Sequence, residues 1–281
     1  MKSVMQITGL FLLAILALSA APCCEAADGD APFPGKKTDY RGFERYDFIV
    51  DQRPVWVVRP KEAAAGKPWI WRALFWDHEP QVDVALLNKG FHVVYMEASD
   101  MYGSPTTVGN WNAFYKELTE KYGLGKKVVI EGLSRGGLVS YNWGAANADK
   151  VACIYGDAPV CDFKSWPGGK GKSKGDAGAW QVILKSYKFE TEAAALAYDK
   201  NPIDNLKPLA DAKVPLIHVV GDADDVVPVA ENTAILKERY EKLGGKMELI
   251  VKPGVGHHPH SLKDPAPIVD FILKCTTGDG K

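Results

Sequence analysis

One short segment restricts what this chain can fold into more than any other, residues 128–137 with the sequence VVIEGLSRGG. An apolar, β-branched run ends at Gly132, and Ser134 and Gly136 follow at alternate positions before a helix-like stretch. This spacing is typical of a strand–turn–helix elbow, in which the serine backbone is strained and flanking side chains would collide with neighbouring atoms. The elbow predicts an exposed Ser134 hydroxyl and an Arg135 backbone N–H directed at a developing oxyanion.

Strand-like and helix-like segments alternate along most of the chain. Apolar β-branched runs predict strands over residues 45–50, 53–59, 68–75, 91–96, 128–131, 151–155, 216–220 and 247–251. Helical spacing of apolar residues predicts helices over 82–89, 111–122, 229–243 and 267–274, with another directly after the elbow. Such alternation favours an α/β fold whose mostly parallel sheet is covered by helices on both faces. Functional residues in these sheets collect at the carboxyl ends of the strands.

The loops after the last two predicted strands carry acidic and imidazole side chains. The first loop, residues 221–228, contains three aspartates: Asp222, Asp224 and Asp225. The second loop, residues 253–260, contains three histidines: His257, His258 and His260. A serine, an aspartate and a histidine therefore follow one another at strand ends, which is the order that a nucleophile, an acid and a base take in one class of hydrolase.

Together, the elbow and these two loops resemble the α/β-hydrolase superfamily, in its esterase and prolyl-oligopeptidase-like branch. The resemblance covers nearly the whole mature chain and implies an α/β-hydrolase fold with a minimal lid. It implies that Ser134 is the nucleophile and that Asp224, which follows Gly221 and precedes a Val-Pro pair, is the acid. It also implies that His257, which follows a glycine, is the base, with His258 as the second choice and His260 on the rim.

These roles imply two-step acyl transfer through a covalent acyl-enzyme. The oxyanion would be held by the backbone N–H of Arg135 and by a second N–H from the loop after the third strand of the fold. That loop begins around residues 73–76 and lacks the His-Gly pair that is common in the family. We therefore expect Leu74 or Phe75 to supply the second donor.

Four side chains near strand ends are predicted to bind substrate: Trp76, Arg72, Trp166 and His258. Aromatic faces in such loops can stack on sugar rings or cover the pocket. Arg72, at the end of an apolar strand, either anchors the next loop or faces the site. The insertion at residues 162–200 is too short for a large lid, which favours a bulky or polymeric substrate. Arg135 is similar to the arginine after the nucleophile in glucuronoyl esterases; the simpler interpretation pairs its side chain with a nearby acid.

The histidine-rich loop also has to be considered as a metal site. Adjacent histidines point in different directions, and the helical His-x-x-x-His spacing is absent from the sequence. We therefore predict no metal and no cofactor. Three further histidines are interpreted as structural: His78, His92 and His218.

Residues 1–27 are typical of an export signal, because a basic start is followed by a short apolar run and then by small residues. The apolar run at 7–18 is too short to span a bilayer comfortably. We predict cleavage after this segment, a single α/β-hydrolase domain over 28–281, and a secreted or periplasmic protein; Cys23 makes a lipoprotein possible. The net charge of −1 argues against a nucleic-acid partner and against membrane insertion of the mature domain.

The predicted function is that of a secreted serine hydrolase that cleaves carboxylic esters, with small-molecule or oligosaccharide esters, acetylated ones above all, as substrates. The first alternative is a peptidase of the prolyl-oligopeptidase type, against which we count the lack of a preceding propeller domain. The second is an inactive hydrolase fold that binds glycans, against which the intact catalytic residues count. The disulfide state of Cys153, Cys161 and Cys275 is left open.

Overall fold

The computed structural model describes residues 33–276, and in this range nine strands form one sheet. The strands are β1 (Lys36–Tyr40), β2 (Phe43–Val50), β3 (Arg53–Arg59), β4 (Trp69–Arg72), β5 (His92–Met96), β6 (Val128–Leu133), β7 (Val151–Asp157), β8 (Leu216–Gly221) and β9 (Met247–Lys252). Their order across the sheet is β1-β2-β3-β5-β4-β6-β7-β8-β9. The pairs from β5 to β9 are parallel and the remaining pairs are antiparallel. The carboxyl ends of β4 to β9 therefore share one edge.

Within residues 33–276, eight α-helices connect and cover these strands. They are α1 (Gln81–Leu87), α2 (Pro105–Lys116), α3 (Gly136–Ala146), α4 (Ala177–Ser186), α5 (Glu192–Leu196), α6 (Lys207–Asp211), α7 (Thr233–Lys242) and α8 (Ala266–Thr276). In β4, Trp69 and Trp71 join the apolar cluster that includes side chains of α2, α3 and α7, whereas Ile70 joins the cluster with α1 and α8. Because successive strand residues point to opposite faces, the central strands are buried on both sides.

This architecture confirms the predicted α/β-hydrolase fold. The predicted strands agree with β2 to β9 to within a few residues, whereas β1 and the three helices α4 to α6 were not predicted. The helix expected from residue 111 begins six residues earlier, at Pro105. Proline is favoured in the first turn of a helix because its missing N–H would have no partner there. The segment that follows α2, Glu117–Lys121, is a π-helical turn.

The predicted signal peptide at 1–27 and the lipoprotein alternative at Cys23 lie outside the described residues. The domain boundary at residue 28 likewise stays a prediction. Between residues 33 and 276, every helix falls short of the length and apolar character needed to cross a bilayer.

The three cysteines of the described chain are free thiols. Cys161, the closest cysteine to Cys153 in sequence, is buried and its Sγ lies 3.4 Å from the carbonyl oxygen of Pro159. Burial raises the pKa of the Cys153 thiol, and the neighbouring Cys275 thiol raises it further. The cysteine that is nearest to Cys153 in the sequence is therefore not the one that lies beside it in the fold.

Candidate active site

The elbow after β6 holds Ser134 in a left-handed backbone conformation, with φ of +48°. Its N–H donates to the carbonyl oxygen of Asp157 at 2.8 Å, and its carbonyl oxygen accepts from the N–H of Val160 at 2.8 Å. One bond reaches the last residue of β7 and the other reaches the segment directly after it, so the end of this strand fixes the strained residue from two sides. Since α3 begins at Gly136, the positive end of its dipole lies directly after the serine.

The glycines around Ser134 differ in what a side chain would meet. A Cβ on Gly132 would lie 2.4 Å from Ser140 Oγ and 2.9 Å from the carbonyl oxygen of Gly136. A Cβ on Gly137 would lie 2.6 Å from the carbonyl oxygen of Val160. On Gly136, by contrast, the nearest neighbours would be 3.7 Å away, which is ordinary contact. The steric need for glycine predicted at both motif positions therefore applies to Gly132 and not to Gly136.

Gly132→Ala should lower the free energy of unfolding by about 1–3 kcal/mol, because the new methyl group overlaps a backbone oxygen that α3 holds in place. Gly136→Ala is the matched control and should change it by less than about 0.5 kcal/mol. Urea unfolding followed by far-ultraviolet circular dichroism measures both values. Equal losses in the two variants would contradict the steric argument.

Ser134, His257 and Asp224 form one hydrogen-bonded chain. His257 Nε2 lies 2.9 Å from Ser134 Oγ, and His257 Nδ1 lies 2.8 Å from Asp224 Oδ2. The imidazole and the carboxylate are buried, whereas Ser134 is half-buried. With Nδ1 bonded to a carboxylate, Nε2 is the ring nitrogen that faces the hydroxyl and can accept its proton.

Asp224 is the one of the three loop aspartates that reaches His257. Its second oxygen, Oδ1, accepts hydrogen bonds from the backbone N–H groups of Val226 at 2.9 Å and Val227 at 2.8 Å. Asp222 and Asp225 are exposed and bond to other partners. The turn after β8 therefore orients one carboxylate and leaves the other two in solvent.

The backbone N–H groups predicted as oxyanion donors are those of Arg135, Leu74 and Phe75. The N atom of Leu74 lies 3.8 Å from the Cβ position of Gly136, so the loop after β4 approaches the first turn of α3. None of these three N–H groups donates a hydrogen bond to another part of the described chain. All three N–H groups are therefore unpaired within the described chain, as the predicted oxyanion hole requires.

The side chain of Arg135 lies between two aromatic rings. Its Cζ is 5.2 Å from the ring centroid of Phe75 and 5.0 Å from that of Tyr102, and its Nη1 donates to the Tyr102 hydroxyl at 2.8 Å. Contrary to the predicted pairing with an acid, no carboxylate of residues 33–276 forms an ion pair with it. Its Nε is buried without a partner. The residue after Ser134 therefore holds its positive charge between two aromatic rings.

Two of the predicted substrate-binding side chains lie beside residues described above, one beside Tyr102 and one beside His257. Trp166 is half-buried and its ring stacks on that of Tyr102, with centroids 6.2 Å apart. His258 is exposed and its ring centroid lies 4.9 Å from that of His257. Trp76, a third, packs among three other rings: Tyr40, Trp56 and Tyr95. Much of the surface of Trp76 is therefore used to pack the loop after β4 against the sheet.

The assignment of Arg72 to substrate binding needs correction, because its side chain is completely buried. Its guanidinium contacts Asp83 Oδ2 at 2.6 Å and Glu131 Oε1 at 3.2 Å. Its Nη1 also donates to the carbonyl oxygens of Phe75 and His78, both at 3.0 Å. Arg72 therefore anchors the loop after β4, which was the first of the two roles considered for it.

Burial of Glu131 in this cluster favours its protonated form. Burial raises the pKa of Glu131 well above its usual range; the attraction of Arg72 opposes this shift and the nearby Asp83 adds to it. The Oε2 atom of Glu131 and the Oδ1 atom of Asp83 are both buried and lack other partners. A proton on Glu131 would supply a donor beside these two oxygens.

The raised pKa of Glu131 makes the stability of the fold depend on pH. A group whose pKa is higher in the folded state stabilises that state fully below its unfolded pKa, and the contribution is lost as the pH rises toward the folded pKa. Glu131→Gln mimics the protonated form at every pH. As the pH rises above about 5, the free energy of unfolding of the wild type should therefore fall relative to that of this variant, by at most about 1.4 kcal/mol per pH unit. Urea titrations at three pH values test this, and a constant difference between the proteins would contradict it.

A second buried histidine–aspartate pair lies beside the triad and was not predicted. His260 Nδ1 is 2.8 Å from Asp157 Oδ1, and both side chains are buried, although His260 was expected on the rim. The other oxygen of Asp157 accepts from the Tyr155 hydroxyl at 2.6 Å and from the backbone N–H of Ser261 at 2.8 Å. The sequence offered one signal for this pair: Asp157 is an acidic residue at the carboxyl end of a strand, where functional residues collect.

His78, which was interpreted as structural, approaches the histidines of the loop after β9. Its ring centroid lies 5.6 Å from that of His260 and 6.0 Å from that of His258. Burial lowers the pKa of His78 and of His258, and the neighbouring His260 lowers both further. The loops after β4 and β9 thus bring three imidazoles together beside the triad.

A sequence profile of the prolyl oligopeptidase family matches residues 110–279. The matched segment is more than half of the chain and includes Ser134, Asp224 and His257. No curated protein matched the chain significantly.

Solved structures with a similar fold include peptidases and an esterase. A puromycin-hydrolyzing peptidase of Mycobacterium tuberculosis has a TM-score of 0.61 at 13% identity, over 82% of this chain and 38% of its own. Dipeptidyl peptidase 4 of Porphyromonas gingivalis has a TM-score of 0.61 at 13% identity, over 83% of this chain and 35% of its own. A truncated carbohydrate esterase from gut microbiota has a TM-score of 0.60 at 21% identity, over 79% of this chain and 90% of its own. The chain thus spans less than two fifths of the length of either peptidase.

Proposed function

This chain belongs to the prolyl oligopeptidase family and is a serine hydrolase, and from that premise we propose that it cleaves carboxylic esters of carbohydrates. The observation that carries the proposal is the hydrogen-bonded chain from Ser134 through His257 to Asp224. Acetyl groups are the proposed acyl groups, because short acyl esters need no deep apolar pocket.

In the proposed mechanism, Ser134 Oγ attacks the ester carbonyl carbon while His257 Nε2 accepts the hydroxyl proton. The tetrahedral oxyanion is stabilised by the N–H of Arg135 and by that of Leu74 or Phe75. The intermediate then expels the sugar alkoxide, which takes the proton from the imidazolium. Water repeats the sequence on the acyl-enzyme, releases the carboxylic acid and restores the serine. Throughout, Asp224 holds the imidazole tautomer and stabilises its positive charge.

The surroundings of the nucleophile support a carbohydrate substrate. Trp166 and Tyr102 form a stacked aromatic pair next to Arg135, and aromatic faces of this kind bind sugar rings by stacking. The structural similarity to the gut carbohydrate esterase also extends over 90% of that chain.

A peptidase is the second candidate, because the family match and two of the similar structures are of peptidases. The same three residues would serve, since peptide and ester cleavage share the acyl-enzyme step and differ in the leaving group. An amine is a poorer leaving group than an alkoxide, so an enzyme adapted to peptides also hydrolyses activated esters. An aryl ester alone therefore does not separate the candidates.

The deciding experiment compares three substrates with the purified protein: an aryl acetate, an acetylated oligosaccharide and a dipeptidyl anilide. We expect the first two to be hydrolysed and the anilide to be spared, with Ser134→Ala as the blank for each. A kcat/KM for the anilide above that for the acetylated oligosaccharide would favour the peptidase. Inactivity on all three, with no labelling of Ser134 by a fluorophosphonate, would favour a glycan-binding protein without catalysis.

Export from the cytoplasm is part of the proposal and is supported by the pattern of residues 1–27 alone. Mass spectrometry of the protein produced with its full N-terminal segment tests it. A new N-terminus near residue 28 in the exported fraction is the expected result, and an intact Met1 would contradict it.

A further inference from the structure

We propose that His78, His258 and His260 bind one divalent transition-metal ion, with Zn²⁺ as the best fit, beside the active-site serine. Each residue offers one imidazole nitrogen, and the three nitrogens all lie within 4.8 Å of one another. Zinc–nitrogen bonds of about 2.0–2.1 Å in tetrahedral geometry separate the ligand atoms by about 3.4 Å. Because His78 and His258 are exposed, rotation of their side chains can close the remaining distance.

His260 is already oriented as a metal ligand. Its Nδ1 is 2.8 Å from the buried carboxylate of Asp157, which leaves Nε2 for a metal. A carboxylate that fixes the tautomer and the ring orientation in this way is the usual support of a metal-binding histidine. Asp157 is itself held by Tyr155 and by the backbone N–H of Ser261.

The donor set defines the class of ion. Three imidazoles suit Zn²⁺, Cu²⁺, Ni²⁺ or Co²⁺, whereas Mg²⁺ and Ca²⁺ prefer oxygen ligands. Three protein ligands also leave a fourth tetrahedral position for water or another small ligand. The sequence did not predict this set, because its members come from two loops and His78 is far from the other two along the chain.

His257 is close to this cluster but is not part of the proposed ligand set. Its ring centroid lies 4.9 Å from those of both His258 and His260. However, its Nδ1 and Nε2 are already bonded to Asp224 and Ser134. The ion would instead tie the loop after β4, which holds Leu74 and Phe75, to the loop after β9, which holds His257. This role goes beyond the proposed esterase function and does not depend on it.

The test is calorimetric titration of Zn²⁺ into protein that has been treated with a chelator and carries no histidine tag. We expect one ion per chain, and at least tenfold weaker binding in His78→Ala and in His258→Ala. His257→Gln removes an imidazole from the same loop and is the matched control; its affinity should stay within twofold of wild type. Both alanine variants replace exposed side chains, so their melting temperatures without metal should match that of the wild type.

A second measurement follows stability, because an ion that binds only the folded state raises the melting temperature. At a free Zn²⁺ concentration of about one hundred times Kd, the melting temperature of the wild type should rise by about 5 °C or more. The melting temperature of His78→Ala should stay unchanged. Absence of a stoichiometric site in the wild type would overturn the proposal. Binding that survives His78→Ala but is lost in His257→Gln would also overturn it, because the ion would then sit on the triad histidine.

Discussion

Ser134→Ala should lower kcat for aryl acetate hydrolysis by about a thousandfold or more, because removal of a nucleophile leaves only binding and the oxyanion donors to accelerate the reaction. The hydroxyl in question is the one that lies 2.9 Å from His257 Nε2. Initial rates over a range of substrate concentrations give kcat and KM separately. We expect KM to change little, because the methyl side chain removes no group that binds the ester.

Ser140→Ala is the matched control for this experiment. Ser140 lies in α3, six residues after Ser134, and its buried hydroxyl makes no hydrogen bond with any described residue. Its removal should therefore leave kcat within about twofold of wild type. Retention of more than a tenth of wild-type kcat by Ser134→Ala, with the control unaffected, would show that another group is the nucleophile.

The parts of this site that the sequence predicted are those that depend on local patterns. The strand, the glycine and the serine of the elbow lie within ten residues, and their backbone conformation is dictated by neighbours in the chain. The order of the acid-bearing and histidine-bearing loops follows from the direction of consecutive parallel strands. Asp224 could be preferred over Asp222 only through the family resemblance, because nothing local distinguishes two exposed-looking aspartates in one turn.

The parts that the sequence did not predict depend on contacts between distant loops. The burial of Arg72 follows from Asp83 and Glu131, which lie 11 and 59 residues away in the chain. The approach of His78 to His260 joins two loops whose strands, β4 and β9, are not neighbours in the sheet. Periodicity and motif spacing describe one helix, strand or loop at a time, so they carry no information about contacts between residues that are far apart in the chain.

Arg72→Met should lower the free energy of unfolding by about 3–5 kcal/mol, because it leaves the buried Asp83 carboxylate without a compensating charge. The carbonyl oxygens of Phe75 and His78 would also lose the donor that Arg72 supplies. Urea denaturation at pH 7 measures the change. The loss should exceed the effect of any exposed ion pair, because water cannot replace the missing guanidinium in the interior.

Arg41→Met is the matched control, because the Arg41–Asp77 pair has a similar length of 2.9 Å but both of its side chains are more than 40% exposed. Arg41→Met should lower the free energy of unfolding by less than about 1 kcal/mol, because solvent screens exposed ion pairs. Adding Asp83→Asn to Arg72→Met removes the uncompensated charge and should restore part of the lost stability. Equal losses for Arg72→Met and Arg41→Met, or no recovery in the double variant, would show that burial of this charge does not govern the stability of the loop after β4.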